Sequence, residues 1–196
     1  MSITIQEIGP DRFPHYGGIP NCFEVRSILR VEVTEGWPGS FQLVEERIDR
    51  PFVREYDEDS EDTPACWASR FDVSRWGILM ATGNAGQPVA GAAIAVEPPV
   101  FPMARFQRAD LAALWDIRVH PEHRRQGIGS QLFRAAAGWA RANGYGQLGI
   151  ETDSSNVAAC RFYARQGCEL GAIHRFGYSG VPEVAAYAML LWYLEL

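Results

Sequence analysis

The chain has 196 residues, of which 47% are hydrophobic and 21% charged, a composition that is ordinary for a globular protein of one domain. Its formal net charge of -6 argues against nucleic acids as partners, because their phosphates are bound by basic surfaces. It has no apolar run near the roughly 20 residues of a membrane span and no recognisable signal peptide, so we expect one cytoplasmic domain over residues 1–196 that does not bind membranes.

The cysteines predict neither disulfides nor a metal site. Cys22, Cys66, Cys160 and Cys168 include no C-x-x-C pair, and no histidine spacing completes a zinc site. Cysteines with this distribution are usually reduced and buried, so we expect no bound metal.

The first half of the chain carries weak structural signals. Residues 24–33 fit either a strand or a short helix, and residues 36–39 form a turn cluster. Residues 41–53 suggest a helix that ends near Pro51. The acidic run at residues 55–62 predicts a loop or an exposed helix end, because its like charges repel one another.

From residue 76 onwards the elements are clearer. Residues 76–82 and 89–96 predict an antiparallel hairpin with a glycine turn, after which three prolines interrupt regular structure: Pro98, Pro99 and Pro102. Further strands are predicted at residues 111–119, 147–152, 168–174 and 184–193, and helices at 127–142 and 157–166. A strand–helix–strand unit implies a parallel pair, so we expect an α/β or α+β fold with a mixed sheet and helices on its faces.

The clearest functional signal lies where the strand at residues 111–119 leads into the helix at residues 127–142. Residues 124–129 read RRQGIG. The first turn of a helix offers N–H groups and a partial positive charge, and glycine lets a phosphate approach the backbone closely. The run has neither the lysine of a Walker motif nor the spacing G-x-G-x-x-G, and this disfavours a nucleotide-binding module. We therefore predict a pyrophosphate site of another kind.

This run fits [Q/R]-x-x-G-x-[G/A], and with its lead-in Ile-x-Val-x-Pro at residues 117–121 it resembles the cofactor motif of the GCN5-related N-acetyltransferase (GNAT) superfamily. Residues 156–168, NVAACRFYARQGC, resemble the downstream element N-x-x-A-x-x-F-Y-x-x-x-G-F, except that Cys168 replaces the usual Phe. The resemblance implies the GNAT fold. That fold is a mixed, mostly antiparallel sheet of about six to seven strands, whose central parallel pair splays around acyl-CoA, with helices on both faces.

The resemblance also implies acetyl-CoA as the cofactor and an acetyl transfer to an amine. In this mechanism the N–H of Val119 polarises the thioester carbonyl, and Tyr163 protonates the departing thiolate as general acid. Asp116 is the candidate general base, with a water chain as the alternative, since family members often carry a Glu where this chain has Trp115. The implied cofactor-binding residues are Ile117, Arg118, Val119, Arg124, Arg125, Gln126, Gly127, Ile128, Gly129, Ser130, Asn156, Ala159 and Tyr163.

Several of these residues also fit plain structural roles. Asn156 fits a helix cap as well as a cofactor contact. Tyr163 fits a core aromatic residue, and Asp116 fits an ion-paired carboxylate at a sheet edge. A CoA-binding sensor or partner domain without turnover stays open as an alternative of another class.

Within the superfamily the chain most resembles streptothricin acetyltransferases, over about residues 114–194 and more weakly in the first half. This implies a primary amine of a cationic small molecule as the acceptor, attracted by the acidic run. The implied substrate-binding residues are Trp37, Tyr56, Asp57, Glu58, Asp59, Trp115 and Glu151. A polyamine, an aminoglycoside-like drug or a protein amine remains an alternative acceptor, the acidic run fits a solvated loop equally well, and a homodimer stays open.

Overall fold

The structure, a computed structural model, describes residues 2–57, 62–96 and 108–196. Over these residues it contains nine strands and four α-helices. The strands are β1 (Thr4–Glu7), β2 (Cys22–Val33), β3 (Phe41–Glu55), β4 (Gly77–Thr82), β5 (Pro88–Ala95), β6 (Leu111–Val119), β7 (Gln147–Asp153), β8 (Glu169–His174) and β9 (Met189–Glu195). The helices are α1 (Phe13–Gly17), α2 (Trp67–Arg70), α3 (Ile128–Ala142) and α4 (Val157–Arg165).

Seven of these strands form one mixed sheet in the order β1-β4-β5-β6-β7-β9-β8, and β2 and β3 form a separate two-stranded sheet. The pairs β1–β4, β4–β5, β5–β6 and β8–β9 are antiparallel. The sheet also contains one parallel pair, and α3 connects the neighbouring strands β6 and β7. A helical crossover of this kind is what parallel neighbours require. The predicted fold class is confirmed.

The chain divides into two compact units. The first comprises Met1–Cys22, Glu55–Gly149 and Glu195–Leu196, and the second comprises Phe23–Arg54 and Ile150–Leu194.

In the first unit α3 packs on strands β4, β5 and β6. The buried side of α3 is apolar and includes Leu132, Phe133 and Ala136, which follow the helical period of its sequence. Gly77 on β4 makes room for the indole of Trp139, because a Cβ at Gly77 would lie 2.4 Å from that ring. A larger residue at position 77 would therefore displace Trp139 from the sheet.

Strand β6 contains a β-bulge shortly before its C-terminal end. Ala93 of β5 pairs with Asp116 while the next residue, Ile94, pairs with Leu114, so Trp115 is the extra residue of a β-bulge. A bulge of this kind bends the strand and redirects the neighbouring side chains. The residues that follow, Ile117 to Val119, return to regular pairing with β5.

The second unit contains nearly all of the β2–β3 sheet, the C-terminal part of β7, α4, β8 and most of β9. The N–H of Leu29 on β2 donates to the carbonyl of Ser154, and the N–H of Ser154 donates to the carbonyl of Ala188. Side chains also join the two long strands, for example Ser27 to Glu45 at 2.6 Å.

Most predicted elements are confirmed, and two predictions are wrong. The helix predicted at residues 41–53 is instead the strand β3, which pairs with β2 across the turn at residues 36–39. Residues 41–53 taken alone do not show this pairing, because it depends on the hydrogen bonds to a second strand. Pro51 is accepted because the sheet has only two strands and the proline needs no partner on the outer side. The strand predicted at residues 184–193 begins at Met189, since the N–H of Val184 and that of Tyr187 close turns instead. The predicted breaks at Pro98, Pro99 and Pro102 lie outside the described residues.

Candidate active site

The glycine run adopts the backbone that its sequence predicts. Gly127 precedes α3 with φ of 80°, a left-handed conformation that favours glycine, and no side chain caps the helix there. A Cβ built on Gly127 meets nothing within 4 Å, so the space beside this backbone is open. Arg125 also has a positive φ, 59°, and its side chain is exposed together with that of Gln126. This geometry fits a pyrophosphate against the start of a helix of 15 residues.

The other loop residues divide between structural and accessible positions. Ile128 is buried in the core under α3, whereas Gly129 and Ser130 are half-buried in its first turn. The guanidinium of Arg124 donates to the carbonyl of Val119 at 2.9 Å and to that of Cys22 at 2.6 Å. Arg124 therefore fastens the loop to the end of β6, which leaves Arg125 as the freer cation for a phosphate.

A buried ion cluster lies near the C-terminal end of β6. The side chain of Arg118 is 1% exposed and donates to both oxygens of Asp57, with contacts of 2.5 and 3.1 Å. It also donates to Asp116 at 2.7 Å and to the carbonyl of Ile19 at 3.1 Å. Burial alone would lower the pKa of Arg118, but Asp116 and the other partners raise it above the usual value. The guanidinium is thus permanently charged and fully engaged.

The carboxylate of Asp116 accepts several hydrogen bonds within this cluster. The hydroxyl of Tyr16 donates to it at 2.6 Å, and the side-chain amide of Asn21 donates at 3.2 Å. Burial and the charge of Asp116 raise the pKa of Tyr16, so Tyr16 stays a proton donor. A general base needs a free lone pair that reaches the substrate. These contacts disfavour Asp116 as the base and favour its role as a partner of Arg118.

The acidic run is only partly described. Glu58 and Asp59 lie outside the described residues. The backbone N–H of Tyr56 donates to the carbonyl of Asn21 at 3.0 Å, and Asp57 is held by Arg118. Asp62, at the end of the run, lies 4.0 Å from Arg70. Burial raises the pKa of Asp62, and Arg70 with the indole of Trp67 offsets this only in part. Near its start the acidic run is therefore fixed by the ion pair between Asp57 and Arg118.

The two tryptophans predicted for the substrate lie in different surroundings. Trp115 packs against Phe71 and Trp76, with ring centroids 5.3 and 5.5 Å away, and so belongs to an aromatic cluster of the first unit. Trp37 lies in the turn between β2 and β3 and is 98% exposed.

In the second unit, α4 presents the remaining cofactor candidates. The side-chain oxygen of Asn156 accepts from the N–H of Ala159 at 3.1 Å, so Asn156 caps this helix, as one reading of the sequence predicts. Tyr163 lies on the buried side of α4 and is 6% exposed. Its ring centroid lies 5.5 Å from that of Phe162 and 6.5 Å from that of Trp192.

Glu151 lies on β7 in the same unit as Tyr163. The hydroxyl of Tyr178 donates to its carboxylate at 2.9 Å, and both side chains are half-buried. Burial raises the pKa of Glu151, Tyr178 lowers it, and the charge of Asp153 raises it, with a net increase. Asp153 itself accepts from Arg54 at 2.9 Å, and Arg54 lies over the ring of Tyr187 at 5.4 Å.

Some residues of these clusters were missed in the sequence. Tyr16 and Asn21 lie about a hundred residues before Asp116, and Tyr178 lies in a segment of turns with no motif. No local pattern signals such contacts. The sequence does indicate that Arg118, a charged residue in a largely apolar strand, needs buried partners, but it does not identify them.

Within the described ranges, no group of three or more His, Cys, Asp or Glu side chains could hold a metal ion. Among the helices of those same ranges, none has the length and apolar character needed to cross a membrane.

Comparisons with known proteins agree with this architecture. Streptothricin acetyltransferase of Escherichia coli is 28% identical over 177 residues, which cover 88% of this chain and 85% of that protein. Streptothricin acetyltransferase of Streptomyces lavendulae is also 28% identical, over 174 residues that cover 89% of this chain and 85% of the relative. Both alignments extend well beyond the motifs of the second half.

Solved structures show the same fold over the whole chain. A protein from Bacillus anthracis str. Ames, assigned as a streptothricin acetyltransferase and crystallised with acetyl coenzyme A, superimposes with a TM-score of 0.77 at 20% identity and covers 100% of both chains. Nourseothricin acetyltransferase gives a TM-score of 0.76 at 22% identity, covering 100% of this chain and 99% of the other. The model of the acetyltransferase (GNAT) family matches residues 41–168, which include β6, the glycine run and α4. The chain therefore belongs to the GNAT family of acetyltransferases.

Proposed function

We propose that this chain transfers the acetyl group of acetyl-CoA to a primary amine of a cationic small molecule, and that the acceptor is streptothricin. The main support is the backbone at the start of α3, where Gly127 leaves open space beside a helix N-terminus. The similarity to streptothricin acetyltransferases over 88% of the chain favours this acceptor. We expect the reaction in the cytoplasm, as the sequence predicts.

In this proposal the first unit binds the donor. Bound acetyl-CoA supplies an activated acetyl thioester. The N–H groups around Gly127 to Ser130 hold its pyrophosphate, and the exposed Arg125 adds a charge-assisted contact. Backbone groups of residues 117–119 would hold the pantetheine arm, and the N–H of Val119 would donate to the thioester carbonyl and polarise it.

Tyr163 acts as the general acid that returns a proton to the thiolate of CoA. Its ring is buried beside Phe162 and Trp192, which holds the side chain in place, as a positioned proton donor requires. The acceptor must lose a proton before it attacks as a neutral amine. Since Asp116 is engaged by Arg118 and Tyr16, we assign this proton to a water chain rather than to Asp116.

Replacing Gly127 with alanine is expected to weaken acetyl-CoA binding by tenfold or more, and to cost about 1–2 kcal/mol of stability because φ is positive there. Gly138 in α3 provides a matched control, since a Cβ there also meets nothing within 4 Å and alanine favours a helix. Calorimetry of acetyl-CoA binding to both variants measures the difference. Equal affinities for Gly127→Ala and Gly138→Ala would contradict the phosphate-loop assignment.

The acceptor is tested by the release of CoA thiol with streptothricin, spermidine, kanamycin and a lysine-rich peptide. Selective release with streptothricin is the expected result. Preferential release with another amine would keep the chemistry and reject this acceptor. Binding of acetyl-CoA without release in any mixture would contradict the enzymatic proposal and favour a binding domain.

A further inference from the structure

The segment between β8 and β9 carries two tyrosines that face the charged end of β7. Tyr178 donates to Glu151 at 2.9 Å, and Tyr187 lies over Arg54, which in turn pairs with Asp153. All of these residues belong to the second unit. The carboxylates of Glu151 and Asp153 differ in their partners, because Asp153 pairs with the cation of Arg54 and Glu151 accepts from the neutral hydroxyl of Tyr178.

The contacts of Asp153 identify it as a structural carboxylate. It is 4% exposed, it accepts from Arg54, and it also accepts the backbone N–H of Ser155 at 2.8 Å. Its charge is compensated, and no face of it is presented to an incoming ligand. Asp153 therefore stabilises the turn between β7 and α4 without contributing to recognition.

The surroundings of Glu151 differ from those of Asp153 both in the charge of the hydrogen-bond partner and in the degree of burial. The hydroxyl of Tyr178, a neutral group, donates to its carboxylate, and the residue is half-buried rather than enclosed. A carboxylate held by a tyrosine in a partly desolvated place is suited to receive an ammonium group, because both the charge and the aromatic ring attract a cation. Resting on the proposed function above, this chemistry matches a cationic acceptor.

We propose that Tyr178 is a positioning residue of the acceptor site, whose hydroxyl fixes the Glu151 carboxylate in the orientation that receives the ammonium group of the acceptor. Tyr178 acts through Glu151 and takes no part in the bond changes. The segment between β8 and β9 thereby contributes to acceptor specificity through one hydrogen bond.

The proposal predicts a change in the dependence of activity on pH. The groups that act on the Glu151 carboxyl are Tyr178, which lowers its pKa, and Asp153, which raises it. Removing the hydroxyl of Tyr178 raises the pKa of Glu151 further, so Glu151 loses its charge at a higher pH when the medium is acidified. The acidic limb of kcat/KM for the acceptor then moves to higher pH.

The test compares Tyr178→Phe with Glu151→Gln and with Tyr187→Phe as a matched control that keeps its ring over Arg54. We expect Tyr178→Phe to raise the KM for the acceptor roughly tenfold and to shift the acidic limb upwards, with the KM for acetyl-CoA unchanged. Glu151→Gln removes the contribution of Glu151 to that limb and leaves only that of the acceptor, and Tyr187→Phe leaves the limb as in the wild type. Using one acceptor throughout cancels the ionisation of the acceptor itself.

An acidic limb that is the same in wild type and Tyr178→Phe would overturn the proposal. So would a KM for the acceptor that rises equally in Tyr178→Phe and Tyr187→Phe, since that pattern means general loosening of the segment. Absence of turnover by the wild type with every cationic acceptor would instead refute the proposed function, and this inference with it.

Discussion

Replacing Tyr163 with phenylalanine is expected to lower kcat about 100- to 10,000-fold while the affinity for acetyl-CoA changes little. Phenylalanine keeps the ring that packs beside Phe162 and Trp192, so the substitution removes the proton donor alone. Steady-state kinetics give kcat, and calorimetry gives the affinity for acetyl-CoA.

The control for this experiment is Tyr145→Phe, which removes a hydroxyl from the segment between α3 and β7 and leaves the proposed site intact. We expect wild-type kcat from that control. A wild-type kcat from Tyr163→Phe would remove Tyr163 as the general acid and leave water as the proton donor to the thiolate.

Replacing Arg118 with methionine is expected to destabilise the protein by about 3–5 kcal/mol, because Asp57 and Asp116 would keep their charges without a buried partner. The exposed pair of Arg26 and Glu24, at 2.8 Å, provides the control, and Arg26→Met should change stability by less than about 1 kcal/mol. Denaturant unfolding measures both variants.

A double variant makes this prediction sharper. Combining Arg118→Met with Asp116→Asn removes one of the two stranded charges, so its cost should be smaller than the sum of the single costs. Strictly additive costs, or an Arg118→Met variant as stable as Arg26→Met, would contradict the buried ion cluster.

Local sequence patterns were sufficient for the part of the fold that carries the glycine run. The largely apolar run of β6, the glycine at position 127 and the helical period of α3 are all short-range features, and the structure has these elements at nearly the predicted bounds. The same holds for α4, where Asn156 at the cap and Gly167 after the end mark both boundaries.

The long-range contacts could not be predicted from the sequence. Arg118 and Asp57 are 61 positions apart, and Glu151 and Tyr178 are 27 apart. The acidic sequence of residues 55–62 predicts that the run attracts cations. The sequence does not show whether the carboxylates of the run are free or already paired with a cation of the chain. The structure adds that Asp57 already neutralises a cation of the chain itself, so it is a poor candidate for binding the substrate.

The strand β3 shows a different limit. Its sequence spaces Val44 and Ile48 four residues apart, as on a helix face, but β3 forms a long ladder with β2. Backbone hydrogen bonding to a partner strand outweighs a weak helical period when the intervening turn closes the hairpin. Such pairing becomes visible only when both strands are considered together.

We propose above that this chain acetylates an amine of a cationic small molecule. The most direct test is mass spectrometry of streptothricin after incubation with acetyl-CoA and the protein, together with a measurement of the CoA released. We expect streptothricin to gain one acetyl group for each CoA released, in a reaction that depends on Tyr163. Unmodified streptothricin, with CoA released no faster than by spontaneous hydrolysis, would contradict it.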